Sequence, residues 1–154
     1  NPCGARRQII GVYDKSLLSI FSKVARNLDM EHVMVVHGED GLDEISITGP
    51  THISEYKDYK INEYSICPED FGAASASFDE IVAQSSEESL RMVKEAFAGE
   101  KSAVQDMIAL NAGAALYIAR KVDSIGDGVE LSYNLMNNGR AADKLAAYVR
   151  VSNI

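Results

Sequence analysis

His32-Val33-Met34-Val35-Val36-His37 is a near-continuous apolar run that Gly38 stops, the pattern of a strand covered on both faces. Upstream, Ile9-Ile10-Gly11-Val12-Tyr13 is a second β-branched run, ending at Asp14, where the sequence predicts a helix N-cap. Between the two, Leu17, Leu18, Phe21, Val24, Ala25 and Leu28 recur at helical spacing over Lys15 to Leu28 and make one apolar stripe that needs a sheet to cover. Strand, helix and strand form a βαβ unit, for which parallel strands and a right-handed crossover are expected.

Downstream of Gly38 the pattern changes. Glu44 to Thr48, Thr51 to Tyr56 and Lys60 to Cys67 are short segments rich in Ile, Thr, Tyr and Ser, joined by connections too short for helices. They are expected to pair antiparallel, which makes the sheet mixed. The Asp58-Tyr59 connection lacks the glycine of the best two-residue hairpins. Past Pro68 and Gly72 the period becomes helical. Ser85 with Glu88 and Ser102 with Gln105 have capping-box spacing, predicting a helix that stops at Gly99 and a longer one through Arg120. The small residues of the longer helix allow close backbone approach. A third helix is expected from Ser124 to near Gly139 and a fourth from about Ala141 to Tyr148.

The chain has 154 residues, enough for one domain with its own core. It is 46% hydrophobic and 25% charged, as in an ordinary globular protein, and carries no apolar run of the ~20 residues that a membrane helix needs. Fifteen scattered Lys and Arg against 23 Asp and Glu give a net charge of -8, which argues against nucleic acid as a partner. Cys3 and Cys67 lack metal-ligand spacing and a disulfide framework, so a reducing cytoplasm is expected, with Cys67 in the core. The opening Asn1-Pro2-Cys3-Gly4, with neither Met nor export signal, leads us to expect a piece of a longer protein.

The densest polar cluster is Gly38-Glu39-Asp40-Gly41-Leu42-Asp43-Glu44, directly after the buried strand. Ligands of open α/β sheets bind outside the carboxyl ends of the strands, and neighbouring carboxylates there suit magnesium, a hard ion usually shared with substrate phosphates. A solvated acidic loop has the same composition, and both readings stay open at this point. His37 is a candidate rim residue or a plain hydrogen-bonder. Arg6-Arg7 is a candidate anion grip or a solvated pair. Asn111, inside the longest apolar helix, reads as a satisfied core polar group or a packing contact, and Gly126-Asp127-Gly128 as a helix start rather than a phosphate loop. No nucleotide fingerprint, zinc pattern or catalytic triad order is present.

Asn1 to Gln8 leading to Gly11-Val12-Tyr13, the block from Val35 to Ser46, Pro68 to Gly72, Ala98 to Lys101 and Leu110 to Tyr117 together resemble the C-terminal part of anthranilate phosphoribosyltransferase. That resemblance implies an α/β domain over 1–154: a mixed, largely parallel sheet flanked by helices, the incomplete large domain of the nucleoside phosphorylase/phosphoribosyltransferase-like fold. It also implies an enzyme that moves phosphoribose from phosphoribosyl pyrophosphate to the amine of anthranilate in tryptophan biosynthesis, with magnesium held by Asp43 and Glu44 and a homodimer when complete. The family's glycine-rich phosphate loop, its Lys-His-Gly-Asn segment, its anthranilate-holding arginine, its first strands and its N-terminal helical domain correspond to sequence upstream of Asn1. Cys3 stands where small residues such as Ala are common. Catalytic residues are not assigned, and no general base is evident. A pyrimidine nucleoside phosphorylase fragment and a non-catalytic binding or scaffolding domain are the alternatives.

Overall fold

The computed structural model describes residues 3–152, so Asn1 and Pro2 of the opening motif lie outside the described residues. Four strands form one sheet in the order β1 (Arg7–Gly11), β2 (His32–Gly38), β3 (Thr51–Lys57), β4 (Lys60–Ile66). β1 and β2 run parallel with Arg7 opposite His32 and Gly11 opposite Val36; β3 and β4 add antiparallel. The sheet is mixed and flanked by helices as expected, but among the described residues it is not largely parallel: only β1 and β2 run parallel, because the connections after β2 carry no crossover helix and antiparallel pairing needs none.

Every residue of β2 is buried, and its side chains alternate between two cores. Val33 and Val35 face α1 (Leu17–Asn27) together with Leu18 and Ala25. Met34 and Val36 face the opposite layer, with Ile53, Ala109, Leu110 and Val129. That layer is built on α3 (Ala103–Ile118) and α4 (Ile125–Asn137), with α2 (Ser86–Phe97) and α5 (Arg140–Ser152) outside them. Ser85, Ser102 and Ser124 each cap their helix by accepting the backbone N–H three residues on. Gly126-Asp127-Gly128 is therefore a first helical turn, as the sequence indicated. Its second glycine has a separate role: a Cβ on Gly128 would meet the Gly113 carbonyl oxygen at 2.3 Å, and one on Gly113 the Val129 nitrogen at 2.5 Å. The two glycines let α3 and α4 touch backbone to backbone.

Three further expectations need correction. Glu44 to Thr48 is not a strand, although Ile45 and Ile47 are buried in the core. Its backbone bonds go to side chains and a loop instead: Ile45 to Asn111, Ser46 N–H to the Thr51 hydroxyl, and the Ile47 carbonyl to Ala76 N–H. Asp14 does not cap α1. Its carboxylate accepts the Ser16 N–H in a turn ahead of the helix, which begins at Leu17. Cys67 is half-buried rather than core, at the step from β4 into a 3-10 turn (Pro68–Phe71), where its N–H donates to Asp70. Smaller differences are boundary shifts: β1 begins at Arg7, and α5 runs on to Ser152.

Candidate functional site

The acidic loop sits where β1 and β2 end. Gly38 N–H donates to the Leu42 carbonyl (2.8 Å) and Gly41 N–H to the Gly38 carbonyl (2.9 Å), so the chain turns back sharply over the sheet rim. Asp40 holds the turn together. Its Oδ1 accepts from Leu42 N–H, and its Oδ2 accepts from the hydroxyls of Ser46 and Thr48. Partial burial works against its ionisation, but these donors outweigh it and keep the Asp40 carboxyl below its ordinary range. Asp40 is thus committed to the loop and has little left for a ligand.

Asp43 and Glu44 are different. Both are exposed, and among the described residues neither carboxylate has a hydrogen-bond or ion-pair partner. Glu44 lies beside a small apolar cleft of about 220 Å³ lined by Ile81, Val104, Met107, Ile108 and Asn111. Desolvation there, and then the charge of Asp43, push its carboxyl above the ordinary range. A carboxylate so raised beside a second one is a site that a cation would relieve. Among the described residues no cluster of three or more His, Cys, Asp or Glu could enclose a metal. The chain therefore offers two oxygen ligands and open positions, which fits magnesium shared with water and phosphate better than a closed structural ion.

The backbone beneath this pair is gripped from two sides. A Cβ on Gly11, the last residue of β1, would lie 1.7 Å from the Asp43 carbonyl oxygen, so only glycine lets the loop settle on the strand end. On the other side, the Asn111 amide bonds both the N–H and the C=O of Ile45. Asn111 is indeed a satisfied polar group on α3, and what it satisfies is the site's own backbone. No local pattern pointed to that partner, since the two positions are 66 residues apart.

The remaining candidates go elsewhere. His37 is buried at the end of β2, and its Nδ1–H donates to the Val12 carbonyl at 2.9 Å, the plain hydrogen-bonding role. Near it, Lys15 Nζ donates to His52 Nε2 (3.1 Å), leaving Nδ1–H of His52 to donate to Ser65, with Glu39 3.5 Å away. Arg6 precedes β1 and Arg7 starts it, at the end of the parallel pair away from the loop. Arg7 forms a bidentate pair with Glu31, which Arg120 also joins, and Arg6 donates to the Asp29 carbonyl. Neither reaches Asp43 or Glu44. The same far end holds a buried network that sequence reading missed: Glu55 accepts from His32 (2.6 Å), Tyr64 (2.8 Å) and Tyr117 (3.0 Å), and Lys57 donates to Tyr117. Burial opposes the Glu55 charge, yet the three donors keep its carboxyl below the usual range.

Against known proteins, residues 1–142 match the family described as glycosyl transferase family, a/b domain. An anthranilate phosphoribosyltransferase of Halorhodospira halophila is 44% identical over 149 residues, which cover 97% of this chain and 44% of that protein. One from Nitrosomonas europaea is 40% identical, covering 99% of this chain and 45% of its own length. The chain thus spans less than half the length of the curated relatives it matches. Among solved structures, anthranilate phosphoribosyltransferase from Thermus thermophilus superposes with a TM-score of 0.80 at 30% identity, over 91% of this chain and 41% of that one. The Saccharomyces cerevisiae enzyme in complex with PRPP and Mg shares the fold, with a TM-score of 0.83 at 22% identity over 95% of this chain and 43% of its own.

Proposed function

This chain belongs to the glycosyl transferase family matched over its residues 1–142, and from that membership we propose that it is the C-terminal α/β portion of an anthranilate phosphoribosyltransferase. The observation that carries the reading is the unpartnered Asp43 and Glu44 on a loop fixed over the ends of β1 and β2. In this reading the pair holds magnesium, which when bound neutralises charge on the pyrophosphate leaving the anomeric carbon. The chain's own work is to present two carboxylates at a set spacing, while Asp40, Ser46 and Thr48 keep the loop closed beneath them. Transfer to the anthranilate amine then depends on holding the two substrates in line, and the proposal assigns that to the part of the longer enzyme this chain does not span. A homodimer and a cytoplasmic location belong to the same proposal, and so does the absence of nucleic-acid partners at a net charge of -8. Among the described residues no helix is long and apolar enough to cross a membrane.

The test is the complete protein containing this chain, assayed by the loss of anthranilate fluorescence with phosphoribosyl pyrophosphate and magnesium. Changing Asp43→Asn and Glu44→Gln together should lower turnover on the order of a hundredfold, since metal neutralisation is worth several kcal/mol in the transition state. No transfer by the wild-type protein refutes the assignment. Transfer that survives the double change, with its magnesium dependence intact, removes the pair from the mechanism.

A further inference from the structure

We propose that Asn111 is a positioning residue for Asp43 and Glu44, fixing through the Ile45 backbone the direction in which the two carboxylates meet a divalent cation. The inference rests on the proposed reading of that pair as the cation's ligands and concerns what aims them. Ile45 is buried outside any strand, so its N–H and C=O have no ladder to join and would cost about 1–3 kcal/mol each if left unmade. Asn111 meets both: its Oδ1 accepts the Ile45 N–H at 2.9 Å, and its Nδ2 donates to the Ile45 C=O at 2.8 Å. A third bond, from Nδ2 to the Met107 carbonyl one turn back at 3.0 Å, ties the amide to its own helix. With both amide protons used, its orientation is set.

Two successive peptides are so held, the one that joins Glu44 to Ile45 through its N–H and the one that joins Ile45 to Ser46 through its C=O. The preceding carbonyl, that of Asp43, lies against Gly11. Backbone on either side of Glu44 is therefore fixed, from α3 on one flank and β1 on the other. Neither carboxylate has a side-chain partner of its own among the described residues, so the backbone is what sets their approach. Removing outer partners of this kind from a metal site typically weakens metal binding 10- to 100-fold. An amide serves better than a hydrocarbon at position 111, because packing α3 against Ile45 requires only bulk, whereas holding its peptide requires a donor and an acceptor 66 residues away in sequence.

The experiment titrates Mn²⁺, as a paramagnetic stand-in for magnesium, into the complete protein containing this chain and follows the broadening of the backbone amide signals of these residues. Thermal melting is recorded alongside. In the wild type the broadening should centre on Asp43 to Ser46. Asn111→Ala should raise the half-saturating Mn²⁺ concentration on the order of tenfold. Asn111→Ser, which keeps a hydroxyl but not the paired donor and acceptor, is the milder variant, expected to show the same shift if the alanine variant does not fold. Tyr117→Phe, on the same helix but in the far network, should lower the melting temperature and leave the Mn²⁺ response unchanged. A folded Asn111 variant that binds Mn²⁺ as the wild type does overturns the positioning role and leaves the carboxylate pair standing. Unchanged broadening in Asp43→Asn/Glu44→Gln overturns the pair itself, and the role of Asn111 with it.

Discussion

Asp40 and Glu44 share one loop and one formal charge, yet their surroundings drive them in opposite directions. Asp40 is held low by three donors, so its contribution to stability is present above the ordinary carboxylate range, about pH 4, and is lost as the pH falls through its lowered value. Glu44 is raised, so in the metal-free protein it costs stability above its raised value and nothing below the ordinary range. Glu44→Gln should therefore raise the melting temperature at pH 7 in the presence of a chelator, with the gain vanishing below about pH 4. Asp40→Asn should lower it at pH 7, and that loss should also fade in acid. Melting curves of both variants between pH 3 and 8 check the pair of signs, and parallel curves at all pH values would mean that neither group titrates with folding. Asp40 is consequently a poor twin of Glu44. A loss of function on changing Asp40 follows from an opened loop.

At the scale of elements, the β3–β4 hairpin turns on Asp58 and Tyr59 at φ of 50° and 63°, a left-handed pair without glycine, and Tyr59 is 88% exposed. Tyr59→Gly should relieve the left-handed strain and raise stability by about 0.5–1 kcal/mol in urea denaturation. A neutral or negative result would show that the turn gains more from the tyrosine's own contacts than it loses in strain. The α3–α4 contact is the opposite case, because no side chain fits between Gly113 and the backbone at Gly128 and Val129. Gly113→Val should separate the two helices and cost about 3 kcal/mol, at the upper end of overpacking penalties. Since α3 also carries Asn111, this change should loosen the loop as well, visible as faster hydrogen exchange at Ile45.

For the whole molecule, the sheet has unequal edges. β4 has its N-terminal half exposed and polar, with Lys60, Asn62 and Glu63, which discourages further pairing. β1 carries Ile9 and Ile10 half-buried, beside a groove where Phe21, Val24 and Leu28 of the α1 region remain exposed. As an isolated chain the protein should pair with a second copy along β1. Sedimentation velocity from a few to a few hundred micromolar is expected to show a dimer that grows with concentration, and Phe21→Glu should return it to monomer. A monomer throughout that range would mean that β1 is already protected.

Periodicity alone determined the βαβ start, the antiparallel hairpin, the helical second half and the position of the acidic loop at the strand ends, because each is a local pattern in which neighbours in sequence share a face or a cap. Ser85, Ser102 and Ser124 could be read as caps for that reason: donor and acceptor lie three residues apart. What only the tertiary structure decided is long-range. Ile45 and Ile47 alternate like a strand, and the sequence cannot show that their backbone bonds go to Asn111 and Ala76 instead of a neighbouring strand. Nor can it show that Gly11 yields space to Asp43, that Gly113 faces Gly128, or that His32 meets Glu55 inside the sheet's far end. Which of the four loop carboxylates are committed and which stay open depends on how the loop closes: it turns the donors of Leu42, Ser46 and Thr48 onto Asp40, while Gly11 and Asn111, distant in sequence, seat the backbone from Asp43 to Ile45.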